Sequence, residues 1–405
     1  MSIPAALERR RNYAGPALFS YGFRPFFVGG AVWAALTILI WIPLHSGAWP
    51  EAWQWPSAIA PLDWHVHEML YGYVPAIVAG FLLTAIPNWT GRLPVCGASL
   101  AALFALWIAG RVAMVSTAGV GLPAAAIIDA TFLLVLLGVA AREVIAGRNW
   151  RNLRVLVIVS VLALGNIAFH VEIIRTGAAD YGTRVGIAAV ILLISLVGGR
   201  IVPSFTNNWL VRENPGRLPI PFGRYDMVTL AVSAIAFVSW IVAPSALWSG
   251  ALLIAAGLLH IVRLARWAGD RTWRDRLVLV LHVAYAFVPA GFLLTGAAIV
   301  WPDIAPASAG IHAWTAGAIG MMTIAVMTRA SLGHTKQPLA ASPVTQAIYL
   351  CLFAAALMRI AAAMTGSIGL LHGAATLWVL AFGAFAASYG PLLIRKPPVW
   401  QQTAH

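Results

Sequence analysis

Charge is scarce in this chain. Of its 405 residues only 10% are Asp, Glu, Lys or Arg, and just 13 are acidic, whereas an ordinary soluble domain is charged at about a quarter of its positions. So little charge excludes a conventional water-soluble enzyme. Cysteine is almost missing as well. Cys96 and Cys351 fall near the ends of apolar runs, as single thiols in no paired spacing, which rules out a disulfide framework, a zinc–thiolate site and thioether-attached haem. Any cofactor must therefore be held without thiolates. Long polar connections are lacking too: the longest, near 46–63 and 206–224, leave no room for a soluble domain.

Apolar residues are what the chain has, at 61%. A hydrocarbon core of about 30 Å takes about 20 of them per helix, and twelve such runs follow one another. They lie near 25–45, 66–89, 94–112, 121–141, 153–175, 184–205, 225–243, 245–264, 276–300, 309–331, 344–365 and 368–394. The runs are continuous and not alternating, which points to helices and away from a barrel. The fold class is thus an all-α polytopic membrane protein of about twelve transmembrane helices. It forms one domain over 1–405, with a cytoplasmic N-terminal segment, 1–24, and a cytoplasmic tail, 395–405.

The formal net charge of +13 is distributed as a topology signal. Arg9, Arg10, Arg11 and Arg24 precede the first span, Arg92 follows the second, and Arg142, Arg148, Arg151 and Arg154 follow the fourth. Arg212, Arg217 and Arg224 follow the sixth, Arg263, Arg266, Arg271, Arg274 and Arg276 the eighth, Lys336 the tenth, and Arg395 with Lys396 the last. By the positive-inside rule both termini are cytoplasmic and the number of spans is even. Short loops of this kind offer no clustered basic surface for nucleic acid. The first apolar run is too long for a cleaved signal and closes on no small-residue cleavage site.

Histidines divide between the two sides. On that topology His45, His65, His67, His170, His312 and His372 lie toward the extracytoplasmic face, and His260, His282, His334 and His405 toward the cytoplasm. Ionisable groups inside a bilayer are costly and default to function. Imidazole ligates metals and haem iron, so histidines on several helices are what a haem or copper site in a bundle requires. In "WHVHEM", residues two apart on a helix point about 200° apart, so His65 and His67 bind one metal only where the chain is not yet helical. On a regular helix His65 shares its face with Gly72, Ala76 and Ala79, a stripe open to a flat macrocycle, while His67 sits with Tyr71, Val74 and Val78. Glu68 is either the partner that orients an imidazole or a solvated carboxylate at a helix N-terminus. Arg111, Arg175, Arg184 and Arg359 lie near extracytoplasmic helix ends, against the positive-inside trend, and are either propionate partners for haem or snorkelling side chains. Asp129 and Arg200 are deeper, as a mutual ion pair or a proton path. His170 with Glu172, and His372, are the remaining choices for a second metal.

A repeat is also visible. His67 to Thr90 and His312 to Thr335 span the same interval of 23 residues, with Gly72 and Gly317 each five beyond their histidine. The sixth span joins this register through Pro203 with Pro87 and Thr206 with Thr90, but has Thr183 where the others have histidine. Spans two, six and ten being four apart suggests three four-helix units in a pseudo-threefold arrangement.

The motifs "FRPFF", "WHVHEMLYGY", "GFLLTAIPNWTGR", "RIVPSFTNNWL" and "MTRASLGHT" resemble those of the NnrS family over nearly the whole chain. That resemblance implies a bacterial inner-membrane protein binding haem b and copper, linked to nitric oxide, denitrification and nitrosative stress. A more distant likeness to haem-copper oxidases and nitric oxide reductases implies haem-ligating histidines on spans two and ten, here His65 or His67 with His312. Those enzymes take further metal ligands from spans six and seven, which have no histidine here, so a conventional binuclear centre is not expected. Copper is left with whichever of His65 and His67 is free, helped by His170 or His372. Electrons for nitric oxide turnover come from a quinol or a cytochrome partner. Two rivals stand beside this reading: a non-catalytic haem-binding gas sensor and a twelve-helix secondary transporter. Against the transporter, the loop between spans two and three is only "TGRLP".

Overall fold

The computed structural model describes residues 13–50 and 54–395. Arg9, Arg10, Arg11, Lys396 and His405 lie outside the described residues. Among the described residues there is no strand, and twelve helices are long and apolar enough to cross a bilayer. They are α1 (Phe23–Ser46), α2 (Pro61–Thr90), α3 (Ala98–Val115), α4 (Leu122–Ala146), α5 (Trp150–Thr176), α6 (Tyr181–Glu213), α7 (Arg224–Val242), α8 (Leu247–Ala265), α9 (Arg276–Val300), α10 (Ala307–His334), α11 (Pro343–Thr365) and α12 (Ile368–Ile394).

Local chemistry sets several boundaries. α2 begins earlier than its apolar run because Pro61 opens the helix, its fixed φ suiting the first turn. Asp63 follows in that turn, where the helix dipole favours a carboxylate. Four helices stop at a glycine in the left-handed region, Gly47, Gly91, Gly177 and Gly366, with φ between 67° and 81°, the backbone state a helix C-cap uses. Asp275 and Ser342 cap α9 and α11 by accepting from backbone N–H groups. Leu39, Ile127, Leu164, Val238 and Leu350 stand on the outer surface, as a lipid solvent requires. α2 is different, being 83% buried over its apolar window against 33% for α4. A helix so enclosed can carry ionisable side chains away from lipid.

The helices fall into two compact units. One takes the chain up to Gly186, Ala330–Gln337 and the chain from Phe382; the other takes Ile187–Arg329 and Pro338–Ala381. In the first, the "FRPFF" motif is a packing device: Phe23, Phe26 and Phe27 are fully buried, and Phe26 meets Phe104 at 5.5 Å and Phe132 at 5.7 Å. Arg24 is not a loop cation. It is buried within α1 and donates to the carbonyls of Leu393 at 2.7 Å and Arg395 at 3.1 Å, satisfying the unpaired acceptors at the end of α12. The start of α1 and the end of α12 therefore lie on one side. The "NWTGR" motif is a second tie there, with Asn149 donating to the Trp89 carbonyl and Arg92 pairing with Glu143, each at 2.5 Å.

In the second unit, Arg263 likewise is no loop residue. It lies inside α8, fully buried, and donates to Asp226 at 2.7 Å. The charge count that placed it outside could not see this partner on α7.

α2 and α10 share a local feature. Each leaves α geometry for a π-helical segment directly after its matched histidine, Glu68–Tyr73 after His67 and Ala313–Ile319 after His312. α6 shows none, running as unbroken α-helix from Tyr181. The π state accompanies the histidine and is absent where Thr183 replaces it.

Candidate metal centre

The π segment of α2 decides which histidine faces inward. Each π turn takes in extra residues, so a face computed at about 3.6 residues per turn drifts as it crosses the segment. His67 and Glu68 are fully buried. His65 is half-buried and stacks on Trp41, ring centroids 4.2 Å apart, with His45 stacked on the same tryptophan at 4.7 Å. The small stripe of Gly72, Ala76 and Ala79 does not receive His65. Gly72 lies against Arg111, Glu68 and Trp33, and a Cβ there would collide with the Arg111 guanidinium.

Around His67 the first unit gathers polar groups from four helices: His67 and Glu68 on α2, Arg111 on α3, Asp129 on α4, Asn166 and His170 on α5. They belong to the early part of α2 and α4 and the late part of α3 and α5, so antiparallel neighbours bring them to one level. Asn166 and His170 are four apart and share a face. His67 Nδ1 lies 2.9 Å from Glu68 Oε1, and Glu68 Oε2 accepts from Trp33 Nε1 at 2.7 Å and Arg111 Nη1 at 2.6 Å. Glu68 is thus no solvated helix-end carboxylate. The other Arg111 nitrogen donates to Asp129 Oδ1. Asp129 Oδ2 accepts from Asn166 Nδ2 at 2.8 Å, with His170 Nε2 at 2.9 Å and His67 Nε2 at 3.2 Å. His67 Nε2 also lies 3.1 Å from Asn166 Oδ1. His67, Asp129 and His170 each offer one ligand atom, all within 4.8 Å of one another. Two carboxylates and one guanidinium leave a negative charge to be balanced by a cation or an imidazolium.

The second unit holds a contrasting set. Arg263 pairs with Asp226, and a chain of hydrogen bonds leads on: Arg263 donates to Tyr285 Oη at 2.7 Å, which lies 2.9 Å from His260 Nδ1, and His260 Nε2 meets Ser233 Oγ at 2.9 Å. Ser233 donates to the Thr229 carbonyl at 2.7 Å, so it accepts from His260 Nε2–H and the ring's Nδ1 accepts from the tyrosine. Charges match one to one and both ring nitrogens are used. That set is closed.

Of the residues expected to form a site, the first unit brings His67, Glu68, Arg111 and His170 together and leaves His65, Arg175 and Arg184 outside. Arg175 is exposed, and Arg184 lies over the Tyr181 ring at 4.9 Å. Glu172 accepts from the backbone N–H groups of Tyr181 and Gly182, anchoring the start of α6 away from the cluster. The partners of Asp129 are those above; Arg200 belongs to the other unit and lies over Phe222 at 5.6 Å. His312, Arg359 and His372 are also in that unit. His312 Nδ1 lies 2.7 Å from the Ser308 carbonyl, so it carries the proton and leaves Nε2 with a free lone pair. Arg359 is half-buried and His372 exposed. Asn166 and Trp33 were missed in the sequence. Asn166 had one signal, its four-residue spacing from His170; Trp33 had none.

No curated protein and no solved structure matches this chain, so the likeness to haem-copper oxidases rests on the motifs alone. A family model described as NnrS protein matches residues 17–396, nearly the whole length, and the chain belongs to the NnrS family.

Proposed function

We propose that this protein binds haem and copper in the bacterial inner membrane, with both termini cytoplasmic, and serves in nitric oxide metabolism or in protection against nitrosative stress. The observation that carries the reading is the buried group of His67, Asp129 and His170 in a member of the NnrS family. Imidazole and carboxylate donors fit copper or a similar ion, and the Glu68 carboxylate behind His67 is the kind of partner that fixes a ligating ring. For haem b, His312 has the chemistry of an axial ligand, since its Nδ1–H is held by the Ser308 carbonyl and Nε2 stays free. Arg359, in the same unit, supplies a cation for a propionate. His67 is the poorer haem ligand, both of its nitrogens facing oxygens. When bound, the two metals supply redox-active centres able to take a diatomic ligand. The chain's part is to hold them in a dry interior, with electrons delivered by a quinol or a cytochrome.

Growth of a deletion strain under nitric oxide tests this. Wild-type protein should restore growth, and a His67→Ala/His170→Ala variant present at equal amount in the membrane should not. Equal rescue by both would show that the buried cluster has no part in the function.

A further inference from the structure

We propose that Arg329 and Arg212 hold the phosphate group of an anionic membrane lipid beside Phe205, between the basic ends of α6 and α10 in the second unit. The reading above supplies only the side, cytoplasmic; the site rests on its own geometry and needs no metal.

Arg329 stands near the end of α10, half-buried, in a span that is 67% buried over its apolar window. Its guanidinium lies over the Phe205 ring at 4.1 Å, an arrangement that suits a planar cation. Nη1 is buried there with no hydrogen-bond partner. An ionised donor in that state is costly, and an oxyanion beside Phe205 supplies its acceptor.

Charge points the same way. Arg212 is near enough to oppose the charge of Arg329, and Asp275 to favour it. That carboxylate is already in use, since Asp275 Oδ1 caps α9 by accepting from the N–H groups of Leu277 at 2.9 Å and Val278 at 3.2 Å. Two guanidiniums thus share one committed carboxylate, an excess that draws an anion. On α6, unbroken α-helix through this stretch, Phe205, Asn208 and Arg212 are three and four residues apart and line one face. Asn208 and Arg212 are exposed, so the asparagine amide adds a neutral donor beside the two cations.

Helix length identifies the anion as a lipid headgroup. α6 has 33 residues and α10 has 28, which at about 1.5 Å each make about 50 Å and about 40 Å, against a hydrocarbon core of about 30 Å. Their ends therefore stand at headgroup depth, where phosphate is the abundant anion. Arginine's planar fork matches two phosphate oxygens, and basic pockets between helices on the cytoplasmic side bind acidic headgroups. A lipid seated here ties α6 to α10.

Full-length protein purified in detergent, stripped of lipid and titrated with phosphatidylglycerol under native mass spectrometry provides the test. Wild type should take up one phosphatidylglycerol tightly, phosphatidylcholine should not replace it, and an excess of inorganic phosphate should not displace it. Arg329→Gln should weaken that binding about 10–100-fold, the effect of losing a charged hydrogen bond. Arg212→Gln, at an exposed position, should weaken it too, while Arg224→Gln, exposed on the same side, should bind as wild type. Equal binding of phosphatidylcholine, wild-type binding by Arg212→Gln, or equal weakening by Arg224→Gln and Arg329→Gln would overturn the site. Displacement by phosphate would make it a small-anion site and overturn the lipid. Without lipid, wild type and Arg329→Gln should melt at similar midpoints, which separates loss of the ligand from loss of the fold. Added phosphatidylglycerol should raise the midpoint of wild type alone, and an equal rise in Arg329→Gln contradicts the proposal. None of these readouts depends on haem or copper, so failure here leaves the function proposed above standing.

Discussion

Arg111 holds two carboxylates in an interior that water does not reach. Its guanidinium takes Glu68 with one nitrogen and Asp129 with another, so the three charges are stable only as a set. Removing one partner of a buried pair strands the other and costs about 3–5 kcal/mol. Arg111→Ala, which strands two, should therefore lower the unfolding midpoint in detergent far more than Arg175→Ala, whose side chain is exposed. Equal midpoints for the two would mean that the network does not hold the first unit together. None of these partners is readable at the residue itself. Glu68 follows two histidines in a segment that reads as a helix start, and its other partners, Trp33 and Arg111, stand 35 and 43 residues away. Arg24 and Arg263 show the same limit from the other side. Each counts as a loop charge by position, yet each is buried because a carbonyl pair or a carboxylate waits for it on another helix.

Among elements, the twelve spans were legible because a bilayer requires long, uninterrupted apolar runs and the chain supplies them. The facing of "WHVHEM" was not. A π segment is a backbone state without a residue signature, and it rotates every face beyond it, so a wheel drawn at constant pitch favoured His65 over His67. The 23-residue register between α2 and α10 was the nearest sequence sign, and it marks the two helices that bear π segments after their histidines. Two glycine substitutions test how the elements pack. Gly72→Ala puts a Cβ into the Arg111 guanidinium and within 2.8 Å of Glu68, so it should destabilise the protein and weaken copper uptake. Gly383→Ala, in α12 with nothing within 4 Å of the added carbon, should stabilise by about 0.5–1 kcal/mol through helix propensity alone. Thermal melts and copper titrations of both variants check this; tolerance of alanine at position 72 equal to that at 383 contradicts the packing described.

At the scale of the whole molecule, the start of α1 is tied to the end of α12 by Arg24, which requires an even number of crossings and agrees with the alternation of basic loops. That agreement came from counting charges and needed no contact to be foreseen. The buried polar cluster belongs to a different order of information, because it is assembled from four helices and only their antiparallel packing sets His67, Arg111, Asp129 and His170 at one level. A metal held at this buried group would make this NnrS-family membrane protein a metalloprotein. The measurement that bears on it most directly is metal analysis with an optical spectrum on protein purified from membranes, wild type beside His67→Ala/His170→Ala. A haem Soret band is expected in both, and close to one copper per chain in the wild type alone. A wild type with neither haem nor copper, or equal copper in the two proteins, would contradict it.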